Sequence, residues 1–459
     1  MPAMPQSEAT GPLAGRAIAV VGGATAGAEV AGRLAEQGAW VAVFEQNPRP
    51  YGKIEDGLPR WHVELRRKEY RTIDAKLAHP NVAFVPLTRI GRDLDFGELA
   101  RAWGFHAVLL ANGAWRDRAL PVEGAETFVG RGLVYQNPFI IWFNHANERG
   151  YTGERFEPKD DVLVVGGGLA SIDVAKALML ETTRAALAAR GIEETTLELE
   201  VKGIPKLLER HGLAFEELGL RGCTLFYRRR REDMPLVEAP EGATPERLAK
   251  VEGARKKLLE KAIEKYRFRV EALCAPDGLL VAGGRLVGLR FRRTRMEGGR
   301  PVPTDETFER RGAYVISSIG SIPEPIPGID MKGELLAFTD WDLGRLAAYP
   351  NVFSAGNVVT GKGNIVASRK HASHVADKVI ESFLGLGASH AGEEAVLDGA
   401  REAARRVADG VAAHAVALTA HGDGALARLR ARVAERQAAV GFAGDYRAWI
   451  ARVTPPDLE

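Results

Sequence analysis

The fold of this chain is decided by residues 17–27, which read AIAVVGGATAG. The five apolar residues predict a short buried strand, and the glycines after them predict a tight turn. Beyond the turn, Val30, Leu34 and the alanines between them have helical spacing. This order of strand, glycine turn and helix is typical of a dinucleotide site, in which a pyrophosphate lies on the helix N-terminus.

A second predicted strand, residues 40–44, ends at Glu45, 18 positions beyond Gly27. A carboxylate at this place accepts hydrogen bonds from a ribose 2′-hydroxyl. The GxGxxG fingerprint is incomplete because Ala24 replaces its second glycine. The turn alone is also typical of other α/β folds, but the strand, the helix and Glu45 together favour a nucleotide site.

The same pattern recurs at residues 161–171, which read DVLVVGGGLAS, with Ser171 at the small third position. The next strand is expected only at residues 223–227, so a helical insertion is predicted over about residues 181–220. This insertion departs from a compact βαβ unit. The chain is therefore predicted to carry two nucleotide sites of Rossmann type.

Four arginines, residues 228–231, follow this second strand where an NAD site has an acidic residue. Guanidinium groups match phosphate oxygens, so Arg228 and Arg229 predict a clamp for the 2′-phosphate of NADP, with NAD the less favoured coenzyme. The alternative interpretation is a run of solvated basic residues. Neighbouring side chains of a strand point to opposite sides, so the four cannot all face one ribose.

The composition excludes several classes of protein. The 459 residues suit two or three packed units, and 62 Lys and Arg against 60 Asp and Glu give no field that would indicate nucleic acid binding. Cys223 and Cys274 form no CxxC, so neither a disulfide framework nor an iron–sulfur site is expected. The chain shows no signal peptide and no run of about 18 apolar residues, which predicts a cytoplasmic protein without a membrane segment.

Three further strands end on small residues, at residues 107–114, 313–320 and 351–357. Small residues are needed where a backbone passes close to a cofactor or crosses between domains. Each segment alone indicates little, and their order along the chain is more informative.

In that order, the chain resembles the two-dinucleotide-binding-domain flavoproteins, and among them adrenodoxin reductase-type ferredoxin-NADP reductase and the glutamate synthase small subunit. Residues 49–53, RPYGK, resemble the turn that approaches the flavin, and residues 109–114 resemble the ATG signature with Asn112 for threonine. Residues 227–235, YRRRREDMP, resemble the NADPH ribose segment of the glutamate synthase small subunit. Residues 351–357, NVFSAGN, resemble the terminal motif that contacts FAD. The disulfide reductase branch is excluded because its CxxC is absent.

The motifs and the resemblance together imply two sets of cofactor-binding residues, and no metal site is expected. The FAD set is Gly22, Ala24, Gly27, Glu45, Gly52, Lys53, Asn112, Gly113, Gly356, Asn357, Asn364 and Ile365. The NADP set is Gly166, Gly168, Leu169, Ala170, Ser171, Arg228 and Arg229. Lys53 is either a group that stabilises negative charge on reduced flavin or a solvated lysine.

The resemblance implies an α/β protein with two Rossmann-like three-layer domains, the NADP domain being inserted in the FAD domain. The expected divisions are a disordered lead-in, 1–14; the FAD domain, 15–118 and 320–384; the NADP domain, 119–319; and a helical C-terminal extension, 385–459. The extension is interpreted either as helices packed on the body or as a docking element.

The function that the resemblance implies is hydride transfer between NADPH and FAD, with single electrons passing to or from a ferredoxin-like iron–sulfur protein. Two alternatives stay open. One is a reductase subunit of a larger iron–sulfur complex. The other is a non-catalytic nucleotide-binding protein, which is indicated only by Ala24 and Asn357. His62 and residues 66–68 are interpreted either as a docking site for an acidic partner or as a polar helix face.

Overall fold

The computed structural model describes residues 10–237, 243–360 and 391–456. The strands are β1 (Ala17–Val21), β2 (Trp40–Phe44), β3 (Val82–Val85), β4 (Ala107–Leu110), β5 (Arg116–Asp117), β6 (Leu133–Tyr135), β7 (Leu163–Gly166), β8 (Thr224–Tyr227), β9 (Arg269–Ala272), β10 (Cys274–Ala282), β11 (Arg285–Glu297), β12 (Arg300–Arg311), β13 (Val315–Ser318), β14 (Ser321–Ile322), β15 (Met331–Lys332), β16 (Leu335–Leu336), β17 (Phe338–Asp340), β18 (Arg345–Leu346) and β19 (Val352–Ser354). The helices are α1 (Thr25–Glu36), α2 (Lys53–Asp56), α3 (Val63–Leu77), α4 (Phe96–Arg101), α5 (Gln136–His145), α6 (Leu169–Ala188), α7 (Thr196–Lys202), α8 (Ile204–Arg210), α9 (Pro245–Tyr266), α10 (Asn357–Thr360), α11 (Ala391–Val416), α12 (Asp423–Ala439) and α13 (Tyr446–Val453).

Two five-stranded parallel sheets form the centres of the molecule. The first has the order β19-β4-β1-β2-β3, and the second has the order β6-β13-β7-β8-β9. Strand β1 is buried along its whole length, as its unbroken apolar sequence predicts for a parallel strand covered on both faces. In each sheet the strand that precedes a glycine turn pairs with the strand predicted to carry the ribose-binding residue, β1 with β2 and β7 with β8.

The chain passes between the two sheets through paired connections. Strand β5 lies where the chain leaves the first sheet for the second, and β14 lies where it returns to the first. The two strands pair antiparallel, with Asp117 opposite Ser321. The predicted insertion is helical, since it comprises the second half of α6 together with α7 and α8. A feature that the sequence did not indicate is the antiparallel sheet β10-β11-β12, which is inserted between strands β9 and β13 of the second parallel sheet.

A loop between α2 and α3 ties the first sheet's unit to the second. The Trp61 side chain is buried in the hydrophobic cluster around the second sheet, and the Lys176 ammonium of α6 lies 4.4 Å from the centre of its ring. Next to it, the Arg60 guanidinium is 3.0 Å from the Glu181 carboxylate. Helix α6 is thereby attached to the segment that follows the predicted flavin turn.

The C-terminal extension is helical, as predicted, and packs on the body. Ala404, Val407, Ala408 and Val411 of α11 are buried in the same cluster as the apolar residues of α1. This packing agrees with the first of the two interpretations of the extension. Within the described part of the chain, none of the helices has the length and apolar character needed to span a membrane.

Candidate functional site

The first glycine turn leaves no room for side chains. Gly22 has φ +96°, and a Cβ there would lie 2.6 Å from the carbonyl oxygen of Ala111. A Cβ at Gly27 would lie 1.8 Å from the carbonyl oxygen of Gly22. Helix α1 begins directly after this turn, with no side-chain cap and no acidic residue in its first turn. Its N-terminus is therefore suited to an anion.

A cavity of about 510 Å³ lies at the carboxyl edge of the first sheet, beside this helix N-terminus. Nine of the predicted FAD residues line it: Gly22, Ala24, Glu45, Gly52, Lys53, Asn112, Gly113, Gly356 and Asn357. Gly27 lies behind the turn, where it permits the close approach of strand and helix. Asn364 and Ile365 lie outside the described residues. The predicted FAD residues that line the cavity come from five separate segments of the chain.

The cavity wall contains a polar atom without a partner. The Asn112 side-chain oxygen, Oδ1, is buried and accepts no hydrogen bond from the residues that the structure describes. Burying such a group without a partner costs about 1–3 kcal/mol, so a rotation of the Asn112 side chain toward a ligand that donates a hydrogen bond would be favourable. The residues present therefore fit a dinucleotide with polar groups at this position.

Glu45 is buried at the end of β2 and faces the cavity. Its carboxylate accepts hydrogen bonds from the backbone N–H of Gly23 and of Asn47, each at 2.9 Å. Burial raises the pKa of Glu45 to about 7, although these two hydrogen bonds act in the opposite direction. A carboxylate has about four acceptor sites, so capacity is left for a ribose hydroxyl.

Lys53 is half-buried and lies in a polar cluster at the cavity wall. Its ammonium lies 3.2 Å from Ser321 Oγ and 3.4 Å from Asn137 Oδ1. It also lies 5.3 Å from the centre of the Trp115 ring. Burial lowers the pKa of Lys53 to about 8, and the charges of Asp117 and Asp56 oppose that shift.

Sequence reasoning missed several residues of the cavity wall. Trp115 stands two positions after Gly113, so the ATG-like motif could have indicated it. Thr88 and Arg89 follow β3 and also line the cavity. Leu397 and Ala400 come from α11, a segment without any nucleotide-binding motif, and nothing in the sequence pointed to them.

The second glycine turn precedes α6 and is tightly packed at Gly166, whereas a Cβ at Gly168 would meet nothing within 4 Å. A Cβ at Gly166 would lie 2.3 Å from the carbonyl oxygen of Ser318. Helix α6 begins at Leu169, directly after Gly168, and Ala170 is its second residue. Its N-terminus has no side-chain cap and no acidic residue in the first turn. Ser171 is fully buried and donates its hydroxyl to the Gly168 carbonyl at 2.6 Å, so it supports the turn from the interior.

The predicted arginine clamp lies at the end of β8, the strand next to β7. Arg228 is exposed and Arg229 half-buried, and within the described residues neither side chain forms a hydrogen bond or ion pair. By contrast, Arg230 pairs with Asp233 at 2.8 Å, and Arg231 donates to a backbone carbonyl. Two guanidinium groups are therefore left available beside the second helix N-terminus.

The interpretation of His62 and residues 66–68 as a docking site is wrong for two of these residues, His62 and Arg66. His62 and Arg66 are buried. Arg66 donates to the Glu55 carbonyl at 2.9 Å and to the Tyr70 hydroxyl at 3.1 Å. Lys68 is exposed but lies 3.1 Å from the Glu394 carboxylate of α11. Within the run only Arg66 faces inward, toward α2, whereas Arg67 and Lys68 are exposed.

Comparison with known proteins finds similar proteins and solved structures, although no family model matches the chain. The mitochondrial NADPH:adrenodoxin oxidoreductase of Arabidopsis thaliana is 24% identical over 396 residues, 76% of this chain and 78% of that protein. The glutamate synthase [NADPH] small chain of Bacillus subtilis is 32% identical over 172 residues, 36% of this chain and 33% of that protein. The solved structure of Mycobacterium tuberculosis FprA in complex with NADPH has a TM-score of 0.58 and 22% identity, over 87% of this chain and 90% of that chain. The resemblance and the fold class predicted from the motifs are confirmed.

Proposed function

We propose that this chain, which has the two-dinucleotide-binding-domain flavoprotein fold, exchanges electrons between NADPH and a ferredoxin-like iron–sulfur protein through bound FAD. The observation that carries the proposal is the pair of glycine turns, each directly before a helix of its own domain, with a cavity at the first of them. Bound FAD would supply two-electron exchange with NADPH and one-electron exchange with the protein partner.

For the domains we propose the boundaries expected from the sequence. Residues 15–118 and 320–384 include all strands of the first sheet, and residues 119–319 include all strands of the second. The extension, 385–459, contributes α11 to the core of the first domain. In this arrangement the paired connections β5 and β14 are the two covalent links between the domains.

In the proposed FAD site, the N-terminus of α1 holds the pyrophosphate and Glu45 accepts a hydrogen bond from the adenosine ribose. Asn112, Gly113, Gly356 and Asn357 form the wall along the rest of the cofactor. Gly52 has φ +52°, and a Cβ there would lie 2.9 Å from the Ala24 Cβ, so the flavin turn sits directly against the first glycine turn. Through this contact, Gly52 and Ala24 would both lie next to the FAD.

In the proposed NADP site, the N-terminus of α6 holds the pyrophosphate, and Arg228 and Arg229 bind the 2′-phosphate. The contacts of Trp61 and Arg60 fix α6 relative to the first domain. That attachment would hold the NADP-binding helix against the first domain. The reaction would need no side-chain nucleophile, since the cofactors would carry the chemistry.

A protein partner for the electrons is supported by the cysteines of the chain. Cys223 and Cys274 are both buried and unpaired, and they lie in different hydrophobic clusters, so they do not form an iron–sulfur site together. Free, buried cysteines also support a reducing compartment, and we propose the cytoplasm. A second candidate, a reductase subunit of a larger complex, is favoured by the region of 32% identity with a glutamate synthase small chain.

The test is an absorbance spectrum of the purified chain before and after anaerobic addition of NADPH. We expect a yellow protein whose colour is bleached by NADPH, and reduction of an added ferredoxin that weakens as ionic strength rises. The matched variant is Arg228→Ala/Arg229→Ala, which should keep the colour and lose bleaching at low NADPH concentration. A colourless chain that takes up no FAD would overturn the proposal in favour of a non-catalytic nucleotide-binding protein. Bleaching without reduction of any ferredoxin, together with co-purification of a cluster-bearing chain, would favour the larger complex.

A further inference from the structure

We propose that Lys53 sets the reduction potential of bound FAD, acting as the cation of a polar cluster that joins the two domains. The cluster consists of Lys53, Asn137, Ser321 and Asp117. The inference rests on the proposed function, because it requires FAD in the cavity, and it goes further by giving one residue of this chain a specific electrostatic role.

The position of Lys53 at the junction of the two domains would place it beside the reacting end of a bound cofactor. Its partners Asn137 and Ser321 belong to α5 and β14, the elements at the junction with the second domain. A nicotinamide held by the second domain has to reach the flavin at this junction. The pyrophosphate is already accounted for by the N-terminus of α1, and Trp115, whose ring flanks Lys53, lines the same wall.

The charge of Lys53 is not neutralised by direct contact. In the parts of the chain that the structure describes, no carboxylate lies within ion-pair distance of its ammonium, whose hydrogen-bond partners are the neutral groups of Asn137 and Ser321. Asp117 lies next to Asn137, and its carboxylate accepts a hydrogen bond from the backbone N–H of Asn137 at 3.2 Å. The cation is thus oriented by neutral groups, and its effect is weakened by two nearby carboxylates, Asp117 and Asp56.

The consequence for the cofactor follows from charge balance. A hydride brings two electrons and one proton to the neutral flavin ring, which leaves the reduced ring with one negative charge until it binds a further proton. A fixed cation at the cavity wall stabilises that charge more than it stabilises the neutral oxidised ring. Lys53 therefore raises the potential of the bound cofactor, and Asp117 lowers it.

The experiment measures the midpoint potential of bound FAD by equilibration with reference dyes, a readout that does not depend on turnover. Lys53→Met should lower the reduced-to-oxidised ratio at a given potential at least tenfold, which is about 30 mV for a two-electron couple. Lys53→Arg should keep most of the parent value, and Asp117→Asn should shift the potential upward. Lys68→Met is the matched control, because Lys68 is an exposed lysine that does not line the cavity.

The pH dependence gives a second readout. The difference in midpoint potential between the parent and Lys53→Met should become smaller above pH 8, because Lys53 loses its proton there. The acidic groups that face Lys53 are Asp117 and Asp56. Equal potentials for the parent and Lys53→Met would overturn the inference, as would a loss of FAD affinity without a change in potential, which would place Lys53 on the pyrophosphate. If the parent itself bound no FAD, the proposed function would fail and this inference with it.

Discussion

Arg401 of α11 and Glu69 of α3 form an ion pair in which the Glu69 side chain is only 1% exposed and the Arg401 side chain 10%. Three other pairs connect the same helix to the first domain: Glu394 with Lys68, Arg405 with Glu29, and Asp409 with Arg33. Helix α11 also contributes Leu397 and Ala400 to the cavity wall. The extension is therefore part of the structure that forms the candidate cofactor site.

We predict that Arg401→Ala destabilises the protein by about 3–5 kcal/mol, because it leaves the Glu69 carboxylate buried without its cation. The measurement is the free energy of unfolding from urea denaturation followed by circular dichroism. The control is Arg33→Ala, whose ion pair with Asp409 has side-chain exposures of 39% and 54% and should contribute about 0–1 kcal/mol. Equal effects of the two substitutions would show that α11 is not held by the buried pair.

We predict that the affinity for FAD rises between about pH 6 and pH 8. Burial raises the pKa of Glu45 to about 7 in the protein without cofactor, so the carboxylate is mostly protonated at the lower pH. A ribose hydroxyl donates to the ionised form, and binding therefore becomes more favourable as the proton leaves, by roughly tenfold over this range. Titration of flavin fluorescence at each pH measures the dissociation constant.

The comparison variant is Glu45→Gln, which has no ionisable group at this position. Its affinity should lie below that of the parent at pH 8, by about 1.5–3 kcal/mol for the loss of a charged hydrogen bond, and should not follow the same pH curve. A parent curve that is flat, or one that Glu45→Gln reproduces, would assign the pH dependence to another group of the cavity.

Local sequence was sufficient for the two glycine turns and their strands. Residues 17–21 and 40–44 are strands as predicted, because unbroken apolar runs beside glycine turns have few other stable arrangements in an α/β fold. The available arginines at 228 and 229 were also located correctly relative to β8, since that position depends only on where the strand ends.

Long-range packing was not accessible in the same way. The run at residues 66–68 has the composition of an exposed helix face, yet Arg66 is buried because a backbone carbonyl and the Tyr70 hydroxyl satisfy its guanidinium. The partners of Lys53 come from residues 137 and 321, which only the domain crossing brings near. No local pattern encodes which side chains a second domain will place opposite a given residue.

We predict that Trp61→Ala destabilises the protein by about 3–5 kcal/mol, because it removes a buried aromatic side chain that links the two domains. Trp61 is 7% exposed and packs at 5.3 Å, centre to centre, on Phe143. The control is Trp341→Ala, since Trp341 is 54% exposed and should change stability by only about 0.5 kcal/mol. Denaturation followed by circular dichroism avoids the loss of a fluorophore. A small effect of Trp61→Ala would mean that the domains are held together mainly by other contacts.

The last prediction concerns the choice of coenzyme, for which we expect NADPH to be preferred over NADH. Within the described residues, Arg228 and Arg229 are the two arginines of the run whose side chains form neither a hydrogen bond nor an ion pair, and each can bind phosphate oxygens. If one such contact contributes about 1.5–3 kcal/mol, a single arginine supports about tenfold to hundredfold discrimination, and two support more, though not additively.

The measurement is kcat/KM with each coenzyme for the parent, Arg228→Ala, Arg229→Ala and Arg230→Ala. The first two substitutions should lower kcat/KM for NADPH and leave that for NADH nearly unchanged, because NADH has no 2′-phosphate to lose contact with. Arg230→Ala is the matched control from the same run, since Arg230 is already paired with Asp233. If it reduced the preference as much as Arg228→Ala, the general positive charge of the run, and not two directed guanidinium groups, would account for the selectivity. Equal use of NADPH and NADH by the parent would remove the basis for a clamp altogether.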